Sequence, residues 1–239
     1  MLERLKLLSL QSVFFIRKIN LQNPLAIAQG INIATGNVFS GPPAVFPLKE
    51  NTPPNVPSIA LKTKDGKLQC TASRDRIDYR YDIQKDNPFD NPVDIRQIWD
   101  NYYGTLCQIV EYFSVKINEP TLVLRLGFVV MFLTELSCNP NYHIVSKYLQ
   151  PGIVEDTQDI NISFLNRFKM EALEVNRWIK IYPVRIRNAT NLPCMGILVD
   201  INTLHEQQSK DLSQYEIVAF FEDAYSHLIN QDLPKVILD

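Results

Sequence analysis

Between residues 57 and 81 apolar and polar positions alternate with a period of two, interrupted twice. Ile59, Leu61 and Thr63 alternate with Ala60 and Lys62, which sets one row of side chains on a core face. Asp65-Gly66 then predicts a two-residue type I′ hairpin turn, because glycine adopts positive φ freely and aspartate tolerates it. Leu68, Cys70 and Ala72 point one way on the return strand, and Arg74-Asp75 marks a second turn. Ile77, Tyr79 and Tyr81 alternate with Asp78, Arg80 and Asp82 in a third strand. The reading is a three-stranded meander with one dry face and one charged, wet face.

The other segments follow the same logic. Val13 to Ile16 reads as a buried first strand, and Asn23-Pro24 opens a short helix to Gln29, with asparagine as cap and proline at its first position. Prolines 42, 43, 47, 53, 54 and 57 make residues 36–57 a long extended loop; Pro54 to Pro57 fits PxxP, but a plain connector is the preferred reading. Asn91 is placed to cap a helix beginning at Pro92, with Asp94 near its positive end. Ile95, Ile98, Tyr102, Leu106, Ile109 and Phe113 form its core stripe, with Trp99 and Tyr103 at the margins. Leu122 to Leu136 predicts a central strand covered on both sides. Arg125 inside it needs a partner: an interior carboxylate or carbonyls, or an anion held in a groove. A helix from Asn139-Pro140 to Leu149 and strands at 160–168, 173–187 and 194–201 follow. Ser213 with Glu216 is a capping box for a last helix carrying Tyr215, Val218, Phe221, Tyr225 and Leu228.

Written coarsely, residues 1–119 give strand, helix, three strands, helix, and residues 120–239 give the same order. Two such β-α-β-β-β-α halves in one compact unit predict an α+β fold, an antiparallel sheet with helices on one face. The motif resembles the repeat of the TATA-box-binding fold and the helix-grip folds. If the sheet is saddle-shaped, its uncovered face is the natural binding surface, although fold alone names no ligand.

Composition narrows the function classes. The chain has 239 residues, 46% hydrophobic and 21% charged, as expected of a soluble globular protein, and its net charge of −2 argues against a broad duplex-DNA footprint. Cys70, Cys107, Cys138 and Cys194 form no CxxC pair, and His143, His205 and His227 lack metal-ligand spacing, so neither metal nor cofactor is expected. No signal-peptide cleavage site follows the amino terminus, and the longest apolar run, Leu122 to Leu133, holds Arg125 and is too short to span a bilayer. A cytoplasmic protein without membrane contact is expected, in which the glycosylation triplets at Asn161 and Asn188 carry no meaning. GxSxG, HExxH, P-loop and dinucleotide-binding glycine signatures are absent from the sequence, and no enzyme is expected. His205-Glu206 beside Asp200 reads as a strand end and a loop. One basic strand remains. Arg177, Lys180, Arg185 and Arg187 lie along it with Trp178 and Tyr182, the residue types that hold single-stranded nucleic acid by charge and stacking. Alternation splits this patch between two faces unless a bulge near Pro183 shifts the register.

Three stretches together resemble a sporadically distributed family of uncharacterised bacterial proteins. They are KTKDGKLQCTASRDRIDYRY, LRLGFVVMF, and the ending GILVDINTLHEQQSKDLSQYEIVAFFEDAYSHLINQ. Asp65, Gly66, Arg76, Arg125, Gly127, Asp200 and His227 occupy the family's landmark positions, while Val130-Met131-Phe132 replaces the usual polar end of the central strand. The resemblance implies no activity, and the family's scattered occurrence is similar to that of anti-phage defence genes. The expectation is a non-enzymatic adaptor or regulatory subunit of a bacterial multi-protein system, partnered by another subunit or by further copies of itself. The alternative is a nucleic-acid or nucleotide-binding module that uses the sheet face. The candidate contact residues are Arg125, Arg177, Lys180, Arg185 and Arg187.

Overall fold

The sheet is built outward from an antiparallel pair at its middle, β1 (Leu5–Ile16) and β6 (Val123–Glu135). The structure is a computed structural model and describes residues 5–17, 23–47, 51–83, 89, 93–116, 123–137, 139–149, 160–171, 173–185, 193–204 and 211–234. On one side of the pair lie β5 (Arg76–Asp82), β4 (Leu68–Ala72), β3 (Ile59–Lys62) and the two-residue β2 (Ala44–Val45). On the other lie β9 (Pro193–Thr203), β8 (Leu173–Arg185) and β7 (Ile162–Met170). The order β2-β3-β4-β5-β1-β6-β9-β8-β7 is antiparallel throughout. Each half therefore contributes its first strand to the centre and its meander to one wing, and one hydrophobic cluster runs through both.

Four helices among the described residues back one face. They are α1 (Pro24–Ala34), α2 (Ile95–Glu111), α3 (Pro140–Tyr148) and α4 (Gln214–His227). Ring and hydroxyl contacts fix which face. The Tyr102 hydroxyl on α2 lies 3.0 Å from Ser12 Oγ and donates to the Tyr79 carbonyl at 2.8 Å. Phe221 on α4 meets Phe14 at 5.3 Å, and Tyr148 on α3 meets Phe164 at 6.4 Å between centroids. The period of two carries the rest: Leu61, Cys70, Tyr79, Ser12, Phe128, Ile201 and Arg177 stand in one register row beneath the helices.

The capping signals act much as the sequence implies. Asn23 and Asn139 cap helices with proline at N1, and Ser213 and Glu216 make both bonds of the capping box. Several details differ. The cap of α2 is Asp94, whose carboxylate accepts from Arg96 N at 2.9 Å; Asn91 and Pro92 lie outside the described residues. The Asp65-Gly66 turn is wider than a type I′ pair. Only Gly66 has positive φ (74°), its N–H bonds to Thr63 O at 2.9 Å, and the ladder resumes at Thr63 N to Leu68 O at 3.0 Å. Asp65 instead accepts from the Thr63 hydroxyl and from Lys67 N, which holds its carboxyl below the usual range. β1 begins at Leu5, eight residues before the predicted start, because its amino-terminal part pairs with β6 rather than running free. β6 is covered on one face only: with all four helices on one side, Arg125, Val129 and Met131 stand half-buried on the other. The proposed half boundary at 119/120 lies outside the described residues.

Trp99 is not marginal. It is 7% exposed and stacks on Tyr225 of α4 at 3.9 Å and 4°, with Tyr103 at 5.3 Å and Phe128 edge-on at 5.8 Å. This stack joins the long helices of the two halves above the central strands. Trp99→Ala is expected to destabilise the fold by about 3–5 kcal/mol, read as a lower urea midpoint with both halves still unfolding together.

Candidate functional site: the uncovered sheet face

On the face away from the helices, no described helix or strand crosses the sheet. Its central register row reads Asp78, Val13, Gly127, Asn202, Asn176 and Arg167 from β5 to β7. The row beside it reads Arg80, Gln11, Val129, Asp200, Trp178 and Leu165. At the centre of the first row Val13 and Gly127 are both buried, with polar residues on either side.

Phe15 stands directly opposite Arg76 on one neighbour and Arg125 on the other. Both guanidinium carbons lie over its ring, at 5.4 and 4.9 Å. The two cations are not equivalent. Arg76 is held by Asp78 through Nε at 2.8 Å and Nη2 at 2.6 Å, and Asp78 also accepts from Gln11 at 2.7 Å. Arg125 has no carboxylate partner among the described residues. Its Nη2 donates to Asn202 Oδ1 at 3.0 Å, and its buried Nε has no acceptor. The other end of the Asn202 amide donates to Asp200 Oδ1 at 3.0 Å, and Asp200 makes no ion pair within the described residues either. One neutral amide thus separates an unmatched cation from an unmatched anion. Of the internal partners considered for Arg125, no carboxylate is found among the described residues, whereas one carbonyl oxygen is, that of the Asn202 amide.

The basic strand comes apart as alternation requires. β8 pairs with β9 without a register shift at Pro183. Trp178, Lys180 and Tyr182 take the uncovered face, where Lys180 Nζ lies 5.9 Å above the Trp178 ring and the Tyr182 ring lies across Gly196. Arg177 goes to the opposite face and is 7% exposed. There its guanidinium pairs with Asp232, bonds His227 Nε2 at 3.0 Å, and lies over Phe168 at 5.7 Å. His227 stacks on Phe168 at 4.4 Å and 18°. Asp232 reaches this place because α4 continues in a π turn, Leu228–Asp232. Arg177 is therefore held by internal partners on the helix side and takes no part in the uncovered face. Of the remaining candidates, Arg185 ends β8 and its side chain is not described, while Arg187, like His205 and Glu206, lies outside the described residues.

Burial pushes the Cys70 thiol up to about 12, far from a neutral-pH thiolate. No group of three His, Cys, Asp or Glu residues among the described ones could hold a metal, and no described helix is long and apolar enough to cross a membrane. No family model, curated protein or solved structure matches the chain.

Removing one member of the buried pair strands the other charge. Asp232→Leu alone is expected to cost about 3–5 kcal/mol, and adding Arg177→Met to recover most of that loss. Lys180→Ala should leave stability within about 0.5 kcal/mol. Denaturant unfolding of the variants checks both statements.

Proposed function

We propose that the protein is a non-enzymatic interaction subunit that receives a protein partner on the uncovered sheet face, as part of a bacterial multi-protein system such as an anti-phage defence complex. The observation that supports this reading is the Arg125–Asn202–Asp200 triad. Among the described residues it offers one charge of each sign without an oppositely charged partner, within a single hydrogen-bonded group. A nucleic-acid backbone presents only anions and would be repelled by Asp200, whereas a protein surface supplies both signs. Phe15 and Trp178 add the half-buried aromatic area on which interface energy concentrates.

The nucleic-acid reading keeps one favourable observation, the Lys180 cation over the Trp178 ring on the same face. Tagged purification with the neighbouring genes expressed separates the two. The expected result is a stoichiometric protein partner with a low 260/280 absorbance ratio, whose affinity falls about tenfold or more in Arg125→Ala and Asp200→Asn, with the unfolding midpoint preserved. A high ratio that drops with salt or nuclease, together with partner binding indifferent to both substitutions, would sink the proposal in favour of nucleic acid.

A further inference from the structure

The two ends of the sheet are built differently. At one end β2 is two residues long and set between Pro42-Pro43 and Pro47, which removes donors and limits any added strand. At the other end β7 runs nine residues, Ile162–Met170, without proline, and among the described strands pairs only with β8. Phe164 and Leu165 on it are 45% and 43% exposed. A long, regular edge with exposed apolar side chains is one that folded proteins normally blunt or pair. The helices touch it at two points, Tyr148 against Phe164 and His227 on Phe168. A trough of about 680 Å³ opens between β7 and the end of α4, lined by Asn166, Phe168, Met170, Ser226, His227 and Asn230 among others.

The sequence of β7 is its own complement. Laid antiparallel on a second copy about Asn166, every one of its nine positions pairs. On the helix side Phe164 meets Phe168 of the second copy, and Ile162 meets Met170. On the other side Leu165 meets Arg167, and Ser163 meets Lys169. Both charges sit in the carboxyl-terminal half, so each falls opposite a neutral residue and no like charges stand directly opposed. Paired residues project to the same side, so the uncovered faces of both copies join into one surface and the helices remain together on the other.

We infer that β7 is a self-association edge, through which a second copy of this chain extends the sheet across a two-fold axis at Asn166. This does not depend on the reading of the uncovered face. Sedimentation equilibrium of the full chain is expected to give a mass near twice 27.5 kDa. Leu165→Lys places a cation opposite Arg167 of the other copy at two symmetric points and should raise the dissociation constant about tenfold or more. Leu165→Glu creates an attractive pair at the same points and should leave the dimer as tight or tighter. Leu165 is solvent-facing enough that both variants should fold, with unfolding midpoints near wild type. Arg125→Ala should stay dimeric, so loss of the partner and loss of the dimer are separable. A monomeric wild type at high concentration overturns the inference. So does equal weakening by both Leu165 substitutions, or amide hydrogen exchange over residues 162–170 that does not slow as protein concentration rises.

Discussion

The β1–β6 ladder joins the two halves of the chain, and its two faces meet different surroundings. All four described helices lie on one side, so each strand delivers alternate residues to a dry layer and to an uncovered one. That asymmetry sets the use of every side chain along the sheet. Ser12 in the middle of β1 falls on the dry side, and it is tolerated there because the Tyr102 hydroxyl reaches it while bonding the Tyr79 carbonyl. The same contact seats α2 over the centre. Burial drives the Tyr102 phenol well above its ordinary range, so the hydroxyl stays protonated and able to donate.

Two devices then fix the position of α4. The Trp99–Tyr225 stack fastens α4 to α2. At the far wing the Arg177–Asp232 pair, closed by His227 and Phe168, fastens the end of α4 to β8. An ion pair that deep adds little net stability over an apolar equivalent. Its effect is specificity of placement, since any other seating of the helix end would leave a buried charge alone. The π turn belongs to this arrangement. It widens the last turn of the helix so that Leu228, Asp232 and Leu233 are all buried.

Much of this was legible in the chain. Period-two alternation located the meander, and spacings of three and four located the two long helices. Paired Asn-Pro and Ser-Glu signals located three helix starts. What alternation cannot say by itself is which parity is dry. Arg177 was grouped with Arg185 and Arg187 by charge, yet it is in phase with Val175, Ile179 and Ile181, and an arginine in phase with apolar neighbours is one that the core has to satisfy. Its partner was beyond reach, because Asp232 is brought round by a π turn that leaves no signature in spacing. Asn91 looked a better cap than Asp94, and Trp99 looked marginal, for a related reason. Each judgement rested on one helix alone, while the position of α2 is set by α4 and by Phe128 across the interface.

The uncovered face shows why Arg125 attracted notice and why its role required the fold. In sequence it is a charge inside an apolar run. In the sheet it stands opposite Phe15, which supplies a π face, and beside Asn202, which supplies one acceptor and passes the polarity on to Asp200. Arg76, on the other side of the same ring, shows what a purely internal solution looks like: a bidentate carboxylate two residues along its own strand. Among the described residues Arg125 has no such carboxylate, although Asp200 lies only one amide away. A half-buried guanidinium with one neutral acceptor is less fully neutralised than Arg76 on the other side of the same ring, and the difference arises from which side chains the two neighbouring strands place beside Phe15.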